Sequence, residues 1–98
     1  MTETTRPDIL ALSAQAHALT EAAYQAHPAV KGEQTWSDKQ RILLADMALH
    51  LVQTAMREGE IDAAKLQNNL YSILTISAPF LPEKHLQQYA DAIIAPQS

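Results

Sequence analysis

Apolar residues recur on two sides of one segment, Ser37 to Arg57. Ile42, Ala45, Leu49, Val52 and Met56 follow one another at steps of three and four, one seam at the helical period. Leu44, Ala48, Leu51 and Ala55 do the same a quarter-turn or more away. A surface helix of a small monomer needs one such seam. Two seams predict a helix that is central to its own domain or shared with a partner.

The other segments carry one seam each. Pro7 suits a first helical position, where its missing N–H costs nothing. The helix it opens has Ile9, Leu12, Ala16, Leu19, Ala23 and Ala26 as its expected inner stripe. That spacing is the one of an a/d seam, and its alanines predict close approach to a bulkier neighbour. Pro28 disfavours helical geometry at His27 and sets the end. A loop with Lys31, Gly32 and Glu33 leads to the second helix. There Ser37 and Gln40 read as a capping box, Asp38 complements the dipole, and Gly59 reads as the stop.

Asp62 is the expected cap of a third helix, with Ile61 and Leu66 in hydrophobic-staple positions. Ala63, Leu66, Leu70, Ile73 and Leu74 make its stripe, and Pro79 ends it near Ser77. Pro82 starts a shorter fourth helix with Leu86, Tyr89, Ala90, Ile93 and Ile94 inward. Residues 72–76 are the one β-prone window, and helix signals on both sides keep them helical. The expectation is one all-α domain over 1–98, a four-helix antiparallel bundle-like fold with helices at 7–27, 37–58, 62–77 and 82–95. Helix 37–58 is central, and the ends 1–6 and 96–98 are frayed.

Composition agrees with helices: the chain is rich in Ala and Leu, with two glycines and five aromatics in 98 residues. Such a chain buries about two-thirds of its unfolded surface, enough for one modest core. With no cysteine, disulfides, thiolate metal sites and cysteine nucleophiles are excluded. The net charge of −4 is spread: two basic and four acidic groups in 1–36, three and three in 37–58, two and four in 59–98. Seven scattered basic residues make no phosphate-binding stripe, so no nucleic-acid partner is expected. No uncharged apolar stretch is long enough to span a membrane. Met1 to Asp8 lacks the basic and apolar regions of a secretory signal, which makes the cytoplasm the expected location.

Candidate chemistry centres on histidine. Asp46 and His50 lie four apart on one face of the second helix, and His17 and Glu21 four apart on the first. Antiparallel neighbours could join the pairs into a two-His, two-carboxylate cluster. Neither HExxH nor ExxH occurs, and no histidine pair sits at i, i+4. The blander reading makes Asp46, His50, Gln53 and Arg57 a solvated stripe with weak contacts. His27 fits a helix C-terminus, and His85 reads as plain surface. Trp36 can cover Arg41 in a cation–π contact or anchor a partner. Two glycines cannot build a phosphate-cradling loop, and no GxSxG is present. At Asn68 and Asn69, poor helix formers, at least one polar contact is expected.

Ile73 to Glu83, ILTISAPFLPE, locally resembles the proline-flanked helix corner of the anticodon-binding helical domains of class I aminoacyl-tRNA synthetases. One proline ends a helix, another starts the next, and the resemblance implies that Phe80 plugs the turn. It covers about a ninth of the chain and comes without a basic face, so it implies a corner and no activity.

The functional expectation is a non-enzymatic, small acidic adaptor or regulator that acts through protein–protein contact, as a homodimer. Trp36, Leu44, Ala48, Leu51 and Ala55 form the candidate interface. No catalytic residue, cofactor or metal belongs to this reading. Two alternatives stand beside it. One is a metal- or cofactor-binding helical bundle using His17, Glu21, Asp46 and His50. The other is an acidic antagonist or nucleic-acid mimic, which eleven acids diluted by seven bases argue against.

Overall fold

Four helices form where the apolar seams fall. In the computed structural model, which describes residues 5–29 and 36–95, α1 spans Thr5–Ala26, α2 Trp36–Met56, α3 Ala63–Ser77 and α4 Leu86–Ile94. Two short 3-10 turns, Ala78–Phe80 and Pro82–Lys84, join α3 to α4. Residues 72–76 are helical, and no strand occurs among the described residues. The fold is all-α and bundle-like. No helix among the described residues is long and apolar enough to cross a membrane.

Consecutive helices run antiparallel, as their contacts show. Along α1 and α2, Arg6 meets Met56, His17 meets His50 and Thr20 meets Asp46. Between α3 and α4, Gln67 donates to the Ile93 carbonyl near one end, and Gln87 meets Thr75 at the other. The main contacts are α1 with α2, α2 with α3, and α3 with α4. Thus α2 is an inner helix, as expected, but the helices stand in a row instead of closing around a common core. The extents of 45 × 41 × 18 Å describe a layer. The radius of gyration is 15.3 Å, against about 13 Å for a compact domain of this length.

The core is correspondingly thin. Ala29 and Ala90 are the buried apolar residues, Ser13 and Asp46 the buried polar ones. No large side chain among the described residues is fully enclosed. The expected inner stripe of α1 is turned largely outward: Leu12 is 66% and Leu19 72% exposed, and Ala23 and Ala26 are exposed as well. Ile9 and Ala16 of that stripe stay half-buried, beside Leu10 and a polar recurrence that α1 buries or half-buries, Ser13, His17, Thr20 and Tyr24, at steps of four, three and four. The two seams of α2 are only partly covered. Leu44, Leu49, Leu51 and Val52 are half-buried, while Ala45, Ala48 and Ala55 are exposed.

Several local expectations shift. Helix α2 begins at Trp36, so Ser37 lies inside it instead of capping it. The helix stops at Met56, earlier than Gly59, which adopts φ 85° in the following turn. Arg6, expected to fray, is helical and holds the C-terminus of α2: its guanidinium donates to the carbonyls of Met56 at 2.8 Å and Arg57 at 2.9 Å. These are carbonyls that a helix end leaves without partners. Asp62 caps α3 as expected, accepting from the Lys65 N–H at 3.1 Å. Pro82 opens only a 3-10 turn, and α4 starts four residues later, because His85 sits in the left-handed region at φ 53°, ψ 43°. Phe80, at 40% exposure, does not plug the corner. The expected fraying at 1–4 and 96–98, and the loop residues Lys31, Gly32 and Glu33, lie outside the described residues.

Candidate functional site

The polar stripe of α1 faces the Asp46–His50 side of α2, and the antiparallel pairing sets the two in register. His17 and His50 meet with their Nε2 atoms 2.9 Å apart, the rings nearly perpendicular at 78° and their centroids 4.4 Å apart. Asp46 lies beside both: Oδ1 is 3.3 Å from His17 Nε2, and Oδ2 is 3.4 Å from His50 Nε2. Thr20 donates its hydroxyl to Asp46 Oδ1 at 2.6 Å. Glu21 reaches the rim, its Oε2 3.9 Å from His17 Nε2 on an exposed side chain. All four residues of the metal-binding alternative are therefore in one place.

Asp46 is 6% exposed, so it does not belong to a solvated stripe. A buried carboxylate is costly unless it is paired and hydrogen-bonded. Thr20 supplies a hydroxyl donor, and the ion-pair partners of Asp46 among the described residues are the two imidazoles. Two Nε2 atoms at 2.9 Å cannot both present lone pairs to each other unless something positive lies between or beside them. Without an ion, one Nε2 carries a proton and donates while the other accepts.

The site is open on one side. His50 lines a polar hollow of about 260 Å³ between α2 and α3, together with Gln53, Arg57, Lys65 and Asn69. Asn69 Oδ1 accepts from the Thr54 hydroxyl at 2.5 Å, which satisfies the polar contact expected of the asparagine pair. A second hollow, of about 560 Å³, lies between α1 and α2, lined by Leu19, Thr20, Ala23, Ile42 and Ala45 with Asp38 and Arg41.

The remaining candidates lie elsewhere. Trp36 is half-buried, and the cation near its ring is Lys39 at 5.9 Å, not Arg41. Lys39 stands closer to Tyr24, 4.7 Å from its centroid. Of the expected interface, Leu44 and Leu51 are half-buried, Ala48 and Ala55 exposed. His27 Nδ1 accepts from the Ala29 N–H at 3.2 Å and closes the turn after α1. Thr20 was not singled out from the sequence. Its signal is the polar recurrence Ser13, His17, Thr20, Tyr24, which parallels the apolar one on the same helix. The chain matches no known family model, no curated protein and no solved structure.

Proposed function

We propose that this protein is a non-enzymatic contact module, a small cytoplasmic adaptor or regulator that works as a homodimer. The observation that carries the reading is the inverted packing of α1. Its polar stripe faces α2, while Leu12 and Leu19, at 66% and 72% exposure, face outward. Large apolar side chains grouped on one face of a thin layer are costly in water and commonly mark an interface.

Leu19 also walls the larger hollow with Ala23, Ile42 and Ala45, so a partner side chain has a recess to enter beside the seam. Ala45, Ala48 and Ala55, exposed on the adjoining flank of α2, let another helix approach closely. A twofold pairing covers the same patch on both copies and is the commonest oligomer symmetry.

Light scattering tests the reading. The expected mass at tens of micromolar is twice the 10.8 kDa of the chain, and Leu19→Glu should return it to the single-chain value. A wild-type mass of one chain would overturn the homodimer.

A further inference from the structure

We propose that His17, Asp46 and His50 form a binding site for one divalent transition-metal ion, for which zinc is the best chemical fit, and that the ion fastens α1 to α2. The inference goes beyond the contact reading and does not depend on it, since every ligand comes from a single chain.

The ligand atoms already stand near the edges of a coordination polyhedron. In a tetrahedral zinc site with bonds to nitrogen and oxygen of about 2.0–2.2 Å, neighbouring ligand atoms lie about 3.3 Å apart. The histidine–aspartate separations are 3.3 Å from His17 to Oδ1 and 3.4 Å from His50 to Oδ2, and one ligand atom from each of the three residues can be chosen with all of them within 4.8 Å of one another, so a small turn of the carboxylate brings one oxygen to both rings. The His17–His50 separation is 2.9 Å, so the rings need to part by only a few tenths of an ångström. The donor set decides the class of ion. Two imidazole nitrogens and a carboxylate suit zinc, cobalt, nickel or copper, whereas magnesium and calcium take oxygen ligands.

Two further observations point the same way. Asp46 is buried, yet its ion-pair partners among the described residues are histidines alone, so a bound dication would supply the positive charge that such a carboxylate calls for. Thr20 donates to Asp46 Oδ1 at 2.6 Å, the kind of hydrogen bond that orients a metal-ligating carboxylate. Entry is available, because the side chains of His17 and His50 are 22% and 37% exposed. Glu21, 3.9 Å from His17 Nε2, can swing in as a fourth ligand, and otherwise a water completes the site.

The test is calorimetric titration of the full chain with zinc chloride, together with thermal melts. One ion per chain and a higher melting temperature are expected, with no response to magnesium. Cobalt should give the visible bands of a tetrahedral site. His50→Ala should weaken zinc binding at least a hundredfold. Thr20→Val, which keeps all three ligands, should weaken it about ten- to a hundredfold, and His85→Ala should change nothing. Circular dichroism of each variant without metal shows whether it folds. Should His50→Ala fail to fold, Thr20→Val and the cobalt spectrum carry the test. Absence of binding by wild type at millimolar zinc would overturn the proposal, leaving the cluster a shared-proton pair. Equal binding by wild type and a folded His50→Ala would overturn it too.

Discussion

Arg6 and Met56 stand fifty positions apart in the chain, and the guanidinium of the first donates to the carbonyl of the second at 2.8 Å. The same side chain reaches the Arg57 carbonyl. A cation at a helix C-terminus also meets the negative end of its dipole. Arg6→Ala should therefore cost about 1.5 kcal/mol, the low end of the range for hydrogen bonds to a charged group, because the contact is partly open to solvent. Urea denaturation reads the loss directly. A cost near zero would mean that water replaces the guanidinium without penalty.

Thr20 and Asp46 should behave as one unit. Thr20→Val takes the hydroxyl donor from buried Asp46 and Asp46→Ala takes the acceptor, so the two are expected to be non-additive by about 0.5–3 kcal/mol. A double-mutant cycle in metal-free buffer measures the coupling. Strict additivity would show that the 2.6 Å hydrogen bond has no energetic counterpart.

Leu49→Ala should destabilise by about 1–2 kcal/mol, less than the 2–5 kcal/mol of a fully enclosed leucine. The reason is that Leu49 is only half-buried in the helical layer. A loss of 4 kcal/mol or so would place Leu49 in a core completed by another chain, and the cost would then depend on protein concentration.

His85 occupies the left-handed region that side chains with a Cβ avoid. His85→Gly should raise stability by roughly 0.5 kcal/mol, the relief of strain being offset in part by glycine's greater freedom in the unfolded chain. A small rise in melting temperature is the expected readout, and a fall would mean that the imidazole makes a contact worth more than the strain.

The helices were legible because their signals are local. Asp62, Pro79 and the seam periodicities each act over a few residues, and the elements form where those signals fall. Which face α1 turns inward was not legible, whereas Leu86, Ala90 and Ile93 of α4 are covered as their spacing predicts. Leu12 and Leu19 read as an inner stripe, yet α1 meets α2 through Ser13, His17 and Thr20. Periodicity locates a face but not its neighbour, and the neighbour here carries Asp46, a carboxylate that needs donors. The His17, Glu21, Asp46, His50 cluster was legible as two i, i+4 pairs, and only the antiparallel register joins them. The break at His85 had no signal, since proline at 82 reads as a helix start whether or not the turn continues.

A row of helices that touch mainly their neighbours in sequence is nearly one-dimensional. In such an array stability is a sum of separate elements and the joints between them. The terminal helices have one joint each, so α1 and α4 can detach while α2 and α3 hold, and amide exchange should be graded from the ends inward. Contacts between successive elements also keep loop closure short, which favours rapid folding. During synthesis α1 can dock as soon as α2 leaves the ribosome, without waiting for the C-terminal half.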